Sequence, residues 1–336
     1  MTKYVLARIA QAALVLWAAF TLSFILLQAL PGDAVLIKFL NPEYGLSPAQ
    51  IAEIRAAYDT DAPLLAQYLA TLGNVLQGRL GYSLQAGVPV TALLAANLPA
   101  TLTLASLGFL AAAVLAMAIA ALATVRRLAI LRDLAHAAPS LFVSIPTFWL
   151  GIMLIQIFSF RLKLVSVIAP GPVESLVLPV LTLAVPISAP LAQILIRNMD
   201  EIETRPFVAV ARAKGASRAR VLWRHVARNA VLPVITIAGV LFGELLAGAV
   251  VTETVFGLPG LGSLTEQAVG NQDIAVLQAV VLVSATAFVL INLAVDLAYP
   301  LLDPRLATGA RPTAAAPGGR GHAMPHTGAP SQGSQP

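Results

Sequence analysis

Residues 207–233 read FVAVARAKGASRARVLWRHVARNAVLP, a basic island in a very apolar chain. Phe207, Val210 and Ala211 fall at i, i+3 and i+4, with Lys214 at i+7, which is one face of a short helix. Gly215 suits the position just past a helix C-terminus, and Ser217 suits the N-cap of a second helix. In that second helix Ala219, Leu222, Trp223 and Val226 make an apolar stripe, and Arg218, Arg220, Arg224, His225 and Arg228 cover the rest. Pro233 follows as the chain turns apolar again. The stretch therefore predicts two short amphipathic helices about a glycine elbow, set between long apolar spans. A solvated loop needs no apolar stripe, which must bury against something. Two basic helices about a turn also form a DNA-binding signature, but this piece is tethered at both ends to membrane spans.

Composition carries that reading outward. Of 336 residues 58% are hydrophobic and 11% charged, with mean hydropathy +0.83, whereas soluble domains carry about 25% charged residues. A membrane-crossing helix needs about 20 apolar residues. Six stretches qualify: 9–30, 98–125, 134–160, 176–196, 231–251 and 274–302. They are continuous runs, not the alternating segments of a β-barrel. Lys3 and Arg8 precede the first run, which is too long for a signal-peptide core and is read as a retained span.

Six spans place both termini on one side, and sixteen of the 21 Lys and Arg residues fall on that side. Only Lys38, Arg55, Arg79, Arg161 and Lys163 fall on the other. The positive-inside rule puts the termini and the 197–230 loop in the cytoplasm and 31–97 outside. The basic pI of about 9.8 is thus a topology signal, with no nucleic-acid partner implied.

In the external segment, 48–58 and 63–76 read as short helices, with Ser47 and Asp61 in the cap regions. Gly78, Gly81 and Gly87 mark turns. Pro139 and Pro146 fall in the third span; Pro179, Pro186 and Pro190 fall in the fourth. Three prolines in one span suggest either a broken helix lining a cavity or a kinked packing helix. Gly239, Gly243 and Ala247 form a small-residue stripe expected at a helix contact. Beside it Glu244 is a carboxylate in mid-span, fitting either the solute path or a hydrogen-bonded helix contact. From residue 307 the chain is low in complexity and is expected to be disordered, with His322 and His326 incidental.

Several chemistries are excluded. Without cysteine there is no disulfide, thiolate metal site or cysteine nucleophile. None of the four lysines precedes Ser or Thr, so the chain has no Walker A loop and no ATPase site of its own. His136 and Ser144, eight residues apart, read as helix-packing groups rather than a catalytic pair. No catalytic residue, cofactor or metal site is expected.

At the central stretch the chain resembles the inner-membrane permeases of ATP-binding-cassette importers, in the dipeptide/oligopeptide/nickel branch. Ala211-Arg212-Ala213-Lys214-Gly215, Arg224-His225 and Arg228-Asn229-Ala230 match that family's cytoplasmic loop, and Pro233 lies eighteen residues after Gly215. Phe207 and Val210 stand where the branch has Tyr and Thr, and the loop's glutamate is missing. Further matches are Pro31-Gly32-Asp33, Asp61-x-Pro63-Leu64, Gln67-Tyr68, Gly81-x-Ser83, Ser144-Ile145-Pro146-x-Phe148 and Leu178-Pro179. The series ends with Glu253-Thr254-x-Phe256-x-x-Pro259-Gly260-Leu261-Gly262 and Asp296-Leu297-x-Tyr299 running to Asp303-Pro304-Arg305. The polar 161–166 segment departs from the family's aromatic-proline turn.

The resemblance implies an all-α integral membrane protein: a six-helix permease domain over 1–306 in the type I importer architecture, with cytoplasmic coupling helices. It implies a pore made with a second permease subunit, identical or related. Two ATPase subunits would bind the ATP and dock at Phe207, Ala211, Arg212, Ala213, Lys214, Gly215, Arg224 and His225. An external binding protein would deliver a peptide, nickel or a similar small solute. A secondary transporter or channel would be expected to show inverted repeats and coupling-ion carboxylates. Only Glu244 and Asp296 are candidates, and there is no repeat. A membrane enzyme would need a convergent catalytic pair that is absent from the motifs.

Overall fold

Apolar runs can satisfy their own backbone groups away from water only by winding into helices, and the computed structural model of the chain is built that way. It describes residues 2–28, 63–83, 85–125, 129–168 and 170–302. α1 (Thr2–Gln28) and α2 (Leu64–Leu76) are followed by a hairpin of β1 (Tyr82–Ser83) and β2 (Val88–Pro89). Then come α3 (Val90–Ala123), α4 (Ala129–Ser144) and α5 (Thr147–Leu154), which runs on as a π-helical segment, Ile155–Arg161. α6 (Glu174–Glu203) leads to α7 (Pro206–Ala213) and α8 (Arg218–Val221). A second π-helical segment, Leu222–Ala227, joins α8 to α9 (Arg228–Phe256); α10 (Leu261–Gly270) and α11 (Ile274–Leu302) complete the fold. Among the described residues four helices are long and apolar enough to cross a membrane, and two bent pairs bring the number to six.

The prolines act differently in the two spans that carry them, and of the two readings of the three-proline span the packing helix is the one observed. The third run is not one straight span: α4 and the α5 segment meet at 103° about Ile145-Pro146. A residue before proline is pushed out of the α region, and Ile145 is that residue. The three-proline span, in contrast, stays one helix. α6 is the most enclosed of the long helices, packed by α3, α4, α5 and α9, and this packing holds it together through Pro179, Pro186 and Pro190. The helices do not stop where the apolar stretches do: α1 covers Thr2–Gln28, α3 begins at Val90 with Pro99 inside it, α6 extends to Glu203 and α9 covers Arg228–Phe256. α11 is helical throughout the 274–302 stretch.

Lipid tails are as apolar as leucine, so helices in a membrane associate through close packing. The α3–α6 contact shows this in alanines 112, 116, 120 and 123 against Ala184, Leu191, Ala192 and Leu195, and a Cβ on Gly108 would meet Leu183 at 3.1 Å. The stripe on α9 works likewise. A Cβ on Gly239 would lie 2.6 Å from Val295, and one on Gly243 would lie 2.1 Å from the Phe288 ring. The stripe's contact is therefore with α11 of the same chain. Arg8 of α1 pairs with Asp296 of α11 at 3.3 Å, which puts the start of the first span and the end of the last at the same end of the bundle. Helix 48–58, Ser47, Asp61 and the 307–336 tail lie outside the described residues.

Candidate functional site

The elbow forms with local chemistry that the sequence announces. Gly215 takes φ +83°, its N–H donates to the Arg212 carbonyl at 2.9 Å, and the Ala216 N–H donates to the Ala211 carbonyl at 3.1 Å. Those two bonds are a Schellman stop. Ser217 Oγ accepts from the Arg220 N–H at 3.3 Å, as an N-cap does. The expected Gly215 stop and Ser217 cap are both present.

The inward face of the elbow keeps Val226 of the expected stripes but otherwise differs from them. Val208, Val221 and Val226 are buried in the core cluster formed with the lower ends of α3 and α6. Phe207, Val210 and Trp223 are exposed, and Ala211 and Leu222 are only partly covered. The second helix is also not a separate short one: it continues through the π-helical segment into α9. A π turn replaces the i, i+4 register by i, i+5, and Val221 and Val226 stand at that spacing. Ala213, Lys214, Gly215 and Arg224 are exposed and His225 is half-buried, its carbonyl accepting from Asn229 Nδ2 at 2.6 Å. Arg212 pairs with Glu203, and Arg205 with Glu201 at 2.5 Å, clamping the end of α6 to the elbow.

Glu244 is exposed on this chain, on a face of α9 that also carries Ile237, Val240, Gly248 and Val251. The face follows the spacing i, i+3, i+7, i+11, i+14, so it is one continuous stripe. The stripe buried against α11 is a different one, so Glu244 takes no part in that helix contact.

A second carboxylate, to which the sequence reading assigned no role, is buried at the opposite end of α9. Thr101 Oγ1 donates to Glu253 Oε1 at 2.6 Å, and the Gly262 N–H donates to Oε2 at 2.7 Å. The Leu261 N–H donates to Thr101 Oγ1 at 2.8 Å. Glu253 thus caps α10 from another helix, where the first-turn N–H groups favour negative charge. A Cβ on Gly260 would sit 2.3 Å from the Glu253 carboxyl, and one on Gly262 2.3 Å from Val250 Cα. The Pro-Gly-Leu-Gly run is therefore the space the carboxylate needs. Close by, Ser83 Oγ donates to Asp273, whose Oδ1 accepts from the Val276 N–H at 3.3 Å, tying the hairpin to the start of α11. Ser144 Oγ donates to the Ser140 carbonyl of its own helix at 2.9 Å, and both Ser144 and His136 are exposed on this chain, so the expected helix-packing role is not seen for either.

A membrane bundle with a capped elbow at one end matches known transporters. Residues 112–308 fit the family described as the binding-protein-dependent transport system inner membrane component. The chain belongs to this family. Residues 1–105 of this permease fit the family's companion description of the N-terminal membrane component. It is 33% identical over 317 residues to a putative peptide permease protein of Brucella suis, covering 91% of this chain and 99% of that one. It is 32% identical over 316 residues to the dipeptide transport system permease protein DppB of Escherichia coli K12, covering 85% and 93%. Over 307 residues it is 33% identical to the glutathione transport system permease protein GsiC of Escherichia coli, covering 91% and 99%. Its fold is that of the ABC importer permeases: the MetNI methionine ABC transporter in an inward-facing form gives a TM-score of 0.53 at 21% identity, over 63% of this chain and 96% of that one. The family is one of inner-membrane transport subunits, not enzymes.

Proposed function

We propose that this permease forms half of a pore for peptides or a chemically similar small solute, with a second permease subunit as the other half. The relatives named for dipeptides, glutathione and peptides support the solute class. Two ATPase subunits dock at the elbows, one per permease, and bind the ATP; an external binding protein delivers the solute. Both termini and the elbow face the cytoplasm, as the charge asymmetry indicates. Glu244 lines the solute path, since a charge facing lipid at mid-span costs about 3 kcal/mol.

One observation carries this reading. The elbow is seated in the core by Val208, Val221 and Val226, while the apolar side chains Phe207, Val210 and Trp223 stand exposed beside Arg212, Lys214 and Arg224. A rigid seat with an apolar and basic outer face suits insertion of a helix into a partner's groove.

Recovery of the ATPase subunits with the tagged permease tests it. Gly215→Val forces a β-branched residue to φ +83°, and recovery should fall roughly tenfold, about 1.4 kcal/mol. Arg212→Glu should weaken recovery too, but it also sets two glutamates together. The double swap Arg212→Glu with Glu203→Arg rebuilds the internal pair while keeping the altered charge outside. Docking predicts that the swap stays defective; full rescue by the swap, with normal recovery for Gly215→Val, overturns it.

A further inference from the structure

Residues 64–76, LLAQYLATLGNVL, contain no charged side chain. Wound as α2, they place Leu65, Leu69, Leu72 and Leu76 at i, i+4, i+7 and i+11, a single apolar stripe. Gln67, Thr71 and Asn74 fall on a different strip, at i, i+4 and i+7. No residue of α2 is buried, and Leu64, Leu65, Leu69 and Leu76 are 57–79% exposed. Such a concentration of exposed leucine on one short helix marks a surface that something covers.

The anchor of α2 fixes its depth. The Tyr68 ring lies 5.3 Å from that of Phe20 and 5.4 Å, edge-on, from that of Phe24, and its hydroxyl shares a hydrogen bond of 2.9 Å with Thr21 Oγ1. Phe20, Thr21 and Phe24 all belong to the apolar span Val5–Leu27 of α1. At 1.5 Å per residue, Thr21 lies about 9 Å below the Leu27 end of that span. A helix attached there sits beside the hydrocarbon, not above it. Its thirteen residues measure about 20 Å, too short to cross a core of about 30 Å. Around the attachment α1 also exposes Trp17, Leu22, Ile25 and Leu26, so the leucines of α2 continue the apolar surface of a spanning helix.

We propose that α2 lies within one leaflet of the bilayer, its leucine stripe covered by lipid acyl chains. The leaflet is the one at the C-terminal end of α1, which is the outer one in the topology proposed above. This rests on α1 being a span and is independent of the solute and of ATPase docking. The helix satisfies its own backbone, carries no charge to desolvate, and holds α1 through Tyr68 as a lipid-facing strut. The 63–76 segment is then a membrane-inserted element rather than part of a water-facing cap.

Because the chain has no cysteine, single nitroxide labels can be placed at Leu65→Cys, Leu69→Cys and Leu76→Cys in the full chain. The complex with its partner subunits would be held in nanodiscs of phosphatidylethanolamine and phosphatidylglycerol. Power saturation then compares molecular oxygen, which concentrates in lipid, with nickel-EDDA, which stays in water. Trp17→Cys serves as the lipid reference and Ala86→Cys, on the hairpin turn, as the water reference. All three α2 positions should favour oxygen over nickel-EDDA several-fold, as Trp17→Cys does. Preference for nickel-EDDA at these positions would place α2 in water and overturn the proposal. Low access to both reagents would mean a protein cover, from residues 29–62, a second permease or the binding protein, and would overturn it equally. On the unsubstituted chain, a phospholipid with a photoactivatable acyl chain should mark peptides from 64–76. Marking confined to α1, with none in 64–76, rejects the proposal independently of any substitution.

Discussion

Glu253 and Glu244 stand nine residues apart on α9 and meet opposite conditions. Glu253 is buried with both oxygens accepting hydrogen bonds, and the donors are equally enclosed. Removing one partner from such a set costs more than the bond itself gains, because the remaining group is left unpaired, at about 1–3 kcal/mol each. Thr101→Val and Glu253→Gln should therefore each lower the apparent melting temperature of the purified complex, while Thr101→Ser, which keeps the hydroxyl, should change it little. The glutamine loses because, with its oxygen on the Gly262 N–H, its NH₂ meets the Thr101 hydroxyl, whose own hydrogen is left without the carboxylate acceptor. A Thr101→Val protein that melts with the parent would show the network to be ornamental. Glu244 has no such enclosure and is exposed on the unpartnered face of α9. For Glu244→Gln the expected outcome is reduced uptake of cationic solutes, with assembly and ATPase turnover unchanged; normal uptake would remove Glu244 from the solute path.

Among the elements, the α9–α11 contact depends on the absence of side chains at Gly239 and Gly243. Gly243→Ala would drive a methyl group to 2.1 Å from the Phe288 ring, and overpacking of this kind costs about 1–3 kcal/mol. Truncating the ring should offset it: Phe288→Ala combined with Gly243→Ala is expected to be more stable than Gly243→Ala alone. The reading is measured by a double-mutant cycle on thermal stability, and strict additivity would place the two residues out of contact. The elbow shows how an element can be legible yet misoriented. Its stop at Gly215 and its cap at Ser217 depend on one glycine and one hydroxyl, so they can be read in place. Its inward face depends on the phase of the helix. The π-helical segment Leu222–Ala227 turns less per residue than an α-helix and shifts that phase, so Val226 pairs inward with Val221 five residues before it, and Trp223 points outward.

For the whole molecule, the pairing of Arg8 with Asp296 keeps the first and last spans together at one end, and in the topology proposed from the charge asymmetry that end faces the cytoplasm. Reporter fusions at Ala49 and Gly309 should accordingly report outside and inside; an external signal at Gly309 would invert the topology and with it the docking side of the elbow. The sequence by itself determined the membrane class, the six apolar runs, the glycine turns at 78, 81 and 87, and the elbow's punctuation, because run length, positive φ and capping are properties of a few neighbouring residues. Only the tertiary structure decided the rest. Pro146 breaks its helix while the three prolines of α6 do not: those prolines are buried or half-buried in a helix packed by four neighbours, whereas Pro146 is exposed. Glu253 finds Thr101 across 152 positions, and Tyr68 finds Thr21 across 47. Contacts at such separation follow from how whole helices pack, and no local pattern of residue types encodes them.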